Sequence, residues 1–202
     1  CEKILPIRRF LDSYLIDPND ALKSDKTPYK VFTPFYNSLQ TLHQSNSIKE
    51  IEISKDIKKI DFDYSYIPSL EDMGFLKQKL PDFLNKSADE LIIDFSKKIE
   101  NYQENRDFIF LDAGSNLSVH LRFGLISPKM LFNKIKKLKA PKKEIDFYIR
   151  ELIWREFYNY ILYHFPKSEF ENLNAIKVNW NENEEDFQNW CEGKTGVPII
   201  DA

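Results

Sequence analysis

Placed on a helix, Glu151, Trp154, Arg155 and Tyr158 share one face, because RELIWREFYNY (150–160) spaces them i, i+3, i+4, i+7. That face carries a carboxylate, an indole, a guanidinium and a phenol. Such a set can grip a planar, partly polar ligand flanked by phosphates. The indole is a flat platform, and stacking a base on an aromatic is worth about 1–3 kcal/mol. A carboxylate can accept from base N–H groups, and an arginine can reach a phosphate. The same spacing also suits a core helix in which Glu151 and Arg155 pair at i, i+4 and the aromatics pack. The residues alone leave both readings open.

A second candidate is the loop Gly114, Ser115, Asn116, Leu117, Ser118, which precedes a short helical phrase. Its hydroxyls and N–H groups could hold a pyrophosphate, although Gly-Ser-Asn loops also serve simply as turns. Lys134, Lys136, Lys137, Lys139, Lys142 and Lys143 form a basic cluster, read as a solvated helix face or as a phosphate-facing patch. Trp180 and Trp190 read as partly buried anchors. No Ser/His/Asp triad, paired catalytic carboxylates or Cys–His couple is visible, so classical hydrolase chemistry has little support.

The remaining composition sets bounds. A chain of 202 residues with 42% hydrophobic and 14% aromatic residues can bury a sizeable core. Its net charge of −3 argues against a general nucleic-acid coat, while a local basic patch could still bind DNA. The two cysteines, Cys1 and Cys191, form no disulfide framework and no zinc spacing, and His43, His120 and His164 are scattered, so no metal site is expected. The five glycines include no phosphate-loop or dinucleotide fingerprint. With no apolar run of about 18 residues and no signal sequence, a cytoplasmic protein without membrane contact is expected. A chain beginning with Cys leads us to expect its true start upstream.

These candidates must be positioned by helices. A strand is expected over Lys3–Ile7, an extended run over Tyr14–Ile16 and a turn at Pro18-Asn19-Asp20. An extended segment is expected from Pro28 to Pro34, then a short helix. Residues 45–72 read as a linker from their shift in composition. Ser87 with Glu90 makes a capping box, after which Leu91, Ile92, Phe95, Ile99 and Tyr102 keep a helical period. A short helix is expected over VHLRFG. Ser127 caps another, with Pro128 at its first position, running to about Lys139. From Pro141 to about Phe165 a helix apolar on most sides belongs in the middle of a bundle. A last helix spans roughly Glu184 to Cys191.

Four phrases in order resemble the photolyase/cryptochrome family: YKVFTPF (29–35), LSVHLRFGLISP (117–128), ELIWREFY (151–158) and EGKTGVPIIDA (192–202). The resemblance is loose over about residues 1–40 and close over about 100–202, and none is found over 41–99. It implies a mainly α fold: a partial helical FAD-binding domain over 75–202, preceded by a remnant of the α/β antenna domain over 1–44 and an interdomain linker over 45–74. It implies light-dependent repair of cyclobutane pyrimidine dimers in DNA, a carbon–carbon lyase activity driven by electron transfer from reduced FAD. The lesion is flipped into the pocket, which costs less for a damaged pair than for a sound base. A folate- or flavin-type antenna chromophore is implied for the full-length protein.

Matched by position, Tyr102, the loop Gly114, Ser115, Asn116, Leu117, Ser118, and Tyr148 and Arg155 would contact FAD. Arg106 would meet a DNA phosphate, Glu151 would hydrogen-bond the damaged bases and Trp154 would stack on them. Arg155 and Tyr158 lie in the same DNA-facing stretch, and Trp180 matches the outermost tryptophan of the relay that reduces the flavin. Where the family loop often reads Thr-Ser-Arg-Leu-Ser, this chain has Gly114 and Asn116 at the first and third places. One lost neutral hydrogen bond costs about 1 kcal/mol, so FAD affinity should weaken without vanishing. Because the family domain continues past the GKTG phrase, a partial flavin domain is expected, inactive alone and prone to self-association through uncovered apolar surface. The alternatives are a cryptochrome-like blue-light receptor without repair activity and a helical DNA-binding or scaffold module that has lost flavin.

Overall fold

The apolar stripe of residues 142–164 organises everything around it. In the computed structural model, which describes residues 11, 13–45, 67–174, 179 and 181–202, this stretch is the 23-residue helix α6, Lys142–His164. Ile145, Tyr148, Ile149, Leu152, Ile153, Phe157 and Tyr160 are buried along it. Helices α1 (Phe32–Ser45), α3 (Tyr102–Asn105) and α5 (Pro128–Lys136) pack against it. Further on come α4 (Ser118–Arg122), α7 (Glu184–Cys191) and α8 (Pro198–Asp201); α2 is Ala88–Ser96. Among the described residues there is no strand, only an isolated bridge between Leu22 and Pro28, so the mainly α expectation holds. The strand expected at Lys3–Ile7 and most of the linker at 45–72 lie outside the described residues.

Local signals account for several of the helix starts. Ser87 Oγ accepts from Glu90 N at 3.3 Å and Glu90 Oε2 accepts from Ser87 N at 2.7 Å, completing the capping box of α2. Ser127 Oγ accepts from Met130 N at 3.2 Å, and Pro128 opens α5, whose Leu131, Phe132 and Ile135 face inward. Helix α5 ends at Lys136, short of Lys139, and α7 spans the predicted residues. Lys134 of the basic cluster pairs with Asp89 at 2.8 Å, and Lys136 lies over the Phe132 ring at 4.8 Å.

Three expectations are corrected. The segment to Pro34 is not extended throughout: α1 begins at Phe32, and Pro34 takes its third position, where the missing N–H would have had no intrahelical partner anyway. The helical period through Tyr102 is not one helix. Helix α2 ends at Ser96, and a 3-10 turn at Ile99–Asn101 redirects the chain into α3, so Ile99 and Tyr102 stay buried by a change of direction. Tyr14–Ile16 bends rather than extends, because its N–H groups turn toward α6.

That last contact belongs to a series. Glu156 Oε1 accepts from Leu15 N at 2.9 Å and Ile16 N at 3.3 Å. Tyr160 OH accepts from Tyr29 N at 3.0 Å and donates to Ala21 O at 2.8 Å. His164 Nε2 donates to Pro18 O at 3.1 Å. Spaced i, i+4, i+8, these three side chains line one stripe of α6 and clasp residues 15–29 through main-chain atoms. The chain forms two compact units, Cys1–Pro166 and Lys167–Ala202. In the second, Asn183 caps α7, accepting from Glu185 N and Asp186 N. The Asp201 carboxylate accepts from Thr195 N (2.9 Å), Thr195 Oγ1 (2.6 Å) and Gly196 N (2.9 Å), tying the GKTG phrase into a closed loop.

Candidate functional site

Glu151 meets an arginine from another helix instead of its neighbour on α6. Arg106, at the end of α3, places Nη1 2.6 Å from Glu151 Oε1, with both side chains about one-third exposed. The guanidinium rests over the Tyr102 ring at 5.8 Å and the Phe147 ring at 5.5 Å, which fixes its plane. The hydrogen bond to Glu151 raises the Arg106 pKa further. The i, i+4 pair of Glu151 with Arg155 is therefore not formed. Arg155 turns the other way, donates to Ser13 O at 3.1 Å and borders a second cleft of about 510 Å³ with Arg122 and Tyr14.

Trp154 is half-buried. Phe32 lies flat against one of its faces, ring centroids 3.5 Å apart and planes within 6°. Phe157 meets it edge-on at 6.0 Å, and Tyr158, which is 65% exposed, lies offset at 5.8 Å. The indole is therefore backed by a fixed aromatic, not buried on every side.

One turn from Glu151 toward the N-terminus of α6, Tyr148 is buried between Phe95 (4.6 Å) and Tyr102 (5.3 Å). Burial pushes its pKa up to about 12, so the phenol keeps its proton and donates it to Ser115 Oγ at 2.7 Å. Since Ser115 Oγ is the acceptor there, its own proton is left for another partner. Burial also raises the Tyr102 pKa. Asn116 adopts φ +58°, a left-handed conformation asparagine tolerates well, and its amide reaches Asp112 at 3.4 Å. Lys98 Nζ donates to Asp112 Oδ2 at 2.7 Å and Gly114 O at 3.3 Å. Gly114, Ser115 and Asn116 line a cleft of about 520 Å³ whose lysines are matched by aspartates: Lys98 by Asp112, Lys86 and Lys97 by Asp94. Leu117 points into the core, and Ser118 is exposed at the start of α4.

The structure thus links Tyr102, Arg106, Tyr148, Glu151 and Ser115 through continuous contacts, with Trp154 one turn and Tyr158 two turns further along α6. Trp180 lies outside the described residues.

Residues 148–202 match the family model for the FAD binding domain of DNA photolyase. The chain is 27% identical to the deoxyribodipyrimidine photo-lyase of Alkalihalophilus pseudofirmus, over 98% of this chain and 43% of that protein. It is 31% identical to the deoxyribodipyrimidine photo-lyase of Escherichia coli, over 96% of this chain and 43% of the relative. A crystal structure of a class III photolyase from Agrobacterium tumefaciens superposes with a TM-score of 0.71 at 28% identity, over 94% of this chain and 42% of that one. The chain is thus similar to DNA photolyases along nearly its whole length, and its residues 148–202 match their FAD binding domain. It spans less than half the length of these family members.

The family's flavin dinucleotide can be tested against these residues. Ser115 offers an uncommitted hydroxyl proton, Ser118 an exposed hydroxyl and Asn116 an amide held by one long bond, all in the loop bordering the cleft. These donors suit the polar end of such a group. A Cβ at Gly114 would meet nothing nearer than Asn116 Oδ1 at 3.9 Å, so the first side-chain carbon of the threonine in the family pattern meets no obstruction there. Among the described residues no group of His, Cys, Asp and Glu side chains could hold a metal ion, and no helix is long and apolar enough to cross a membrane.

Sequence reasoning missed Phe32, Glu156 and Tyr160. Glu156 had a signal: it is a carboxylate within the apolar stripe of α6. Phe32 had only its place in YKVFTPF.

Proposed function

We propose that the protein carrying this chain is a cytoplasmic enzyme that uses light to repair cyclobutane pyrimidine dimers in DNA, with FAD as cofactor. The observation that carries this reading is the α6 face itself: an indole backed by Phe32, one turn from a carboxylate held in place by Arg106. A flipped dimer presents flat rings to Trp154 and N–H donors to Glu151. Arg106 keeps Glu151 oriented and, being partly exposed, can also reach a DNA phosphate. Tyr158 extends the DNA-facing side, and Tyr102, Tyr148 and the loop 114–118 serve the flavin; Arg155 would serve either only by releasing Ser13 O. Trp180 is assigned the outer place in the electron relay. Bound and reduced, FAD supplies the photoexcited electron that opens the cyclobutane ring. The protein's part is binding, orientation and exclusion of water.

Light-dependent repair of a dimer-containing oligonucleotide by the purified protein tests the reading, together with its visible absorption spectrum after gel filtration. A retained flavin spectrum with light-dependent repair is expected. A protein that stays colourless after FAD is added would remove the photochemical reading. A flavin-loaded protein that repairs nothing would be a blue-light receptor of the cryptochrome kind. Within the same reading, Gly114→Thr should restore one hydroxyl contact and tighten FAD about fivefold, corresponding to about 1 kcal/mol. Titration of FAD fluorescence measures this, and an unchanged or weaker affinity would count against the loop as a flavin contact.

A further inference from the structure

Every role assigned to Trp154 depends on its orientation, and among the assigned residues only Tyr158, offset at 5.8 Å and largely exposed, lies against its ring. Its flat contact is with Phe32, 122 positions earlier in the chain and only 5% exposed. Phe32 is itself held on several sides. Phe157 meets it edge-on at 5.8 Å, Tyr36 lies tilted at 5.7 Å, and the Arg150 guanidinium sits over its ring at 5.7 Å. Three residues before it, Tyr29 N is bonded to Tyr160 OH, where the main-chain clasp on α6 ends. The chain therefore enters α1 at a fixed point, and its first residue is placed against the indole.

We infer that Phe32 is a positioning residue for lesion recognition: by occupying one face of Trp154 it fixes the indole plane in advance and leaves the opposite side for the flipped bases. This inference rests on the proposed repair function. An indole already fixed loses little freedom when a lesion stacks on it, so the gain falls on the flipped-out lesion. Undamaged duplex is held mainly through its phosphates and gains nothing from the indole plane. Phe32 should therefore set the ratio of damaged to undamaged affinity, not affinity in general.

The test compares Phe32→Leu with Phe35→Leu in the protein that carries this chain. Phe35 is fully buried in the same helix and touches Tyr29, Phe157 and Tyr160, with no ring contact to Trp154. Binding is measured to one oligonucleotide with and without a single thymine dimer, alongside thermal melting. Phe32→Leu should reduce the damaged-to-undamaged affinity ratio by roughly three- to tenfold, the range for loss of one aromatic pair. Phe35→Leu should lower the melting temperature at least as much and leave the ratio within about twofold of the parent. Combining Phe32→Leu with Trp154→Ala should lower the ratio no further than Trp154→Ala alone. If Phe32→Leu and Phe35→Leu change the ratio equally while Trp154→Ala lowers it strongly, Phe32 is packing only and the inference is overturned. If Trp154→Ala itself leaves the ratio unchanged, the failure lies with the proposed function, and the inference falls with it.

Discussion

Trp154→Ala is expected to weaken binding of dimer-containing DNA by about 5- to 150-fold, the equivalent of the 1–3 kcal/mol that one base–aromatic stack supplies. Light-dependent repair should fall at least as far at sub-saturating substrate, because a lesion that is not held cannot be presented. Binding to undamaged DNA should barely move, since phosphate contacts supply it. The substitution also uncovers Phe32 and so costs stability; Trp154→Phe, which keeps an aromatic against Phe32, separates the two effects. Competition binding with damaged and undamaged duplexes measures the ratio directly. Equal losses on both duplexes would show that the indole contributes to the fold and not to recognition of the lesion.

The second large effect depends on pH. Burial pushes the Glu156 pKa up to about 7 from its ordinary value of 4.5, against the downward pull of the Leu15 and Ile16 N–H groups, Arg155 and Lys129. Its Oε2 is buried without a partner. A carboxyl whose pKa is higher in the folded than in the unfolded state keeps a proton that the unfolded chain gives up between about pH 4.5 and 7. Its contribution to stability is thus fully present below pH 4.5, lost as pH rises through the folded value and constant above it. The size of the effect is at most about 3 kcal/mol. Glu156→Gln keeps the carbonyl acceptor for Leu15 N and Ile16 N and removes the titration. Urea unfolding at pH 5 and pH 8 should show a drop in the parent that is largely absent in the variant. Parallel drops in both proteins would mean that Glu156 carries its charge throughout, with the burial cost met some other way.

Much of the helical framework was legible because its signals are local. Ser87 and Glu90 sit three apart and satisfy each other, Ser127-Pro128 marks the start of α5, and the apolar residues of α6 repeat over its whole length. What could not be read was set by distant partners. Glu151 and Arg155 have suitable spacing for a pair, yet α3 brings Arg106 close enough to take Glu151, and Ser13 O draws Arg155 away. The period that runs from Leu91 to Tyr102 describes which residues are buried, and it remains true although the helix breaks at Lys97. The candidate site was visible as a face of α6. That Phe32 lies against Trp154 and Tyr148 against Ser115 depends on tertiary packing that no window of sequence contains.

The clasp on residues 15–29 has a bearing on kinship. Glu156, Tyr160 and His164 hold Leu15 N, Ile16 N, Pro18 O, Ala21 O and Tyr29 N, all main-chain atoms. The instructions for that stretch's path are therefore stored in α6, well over a hundred residues downstream. Distant cousins that share the stripe on α6 can thread quite different letters along the same route. Letter-by-letter comparison over this stretch will then understate descent that the course of the backbone still records.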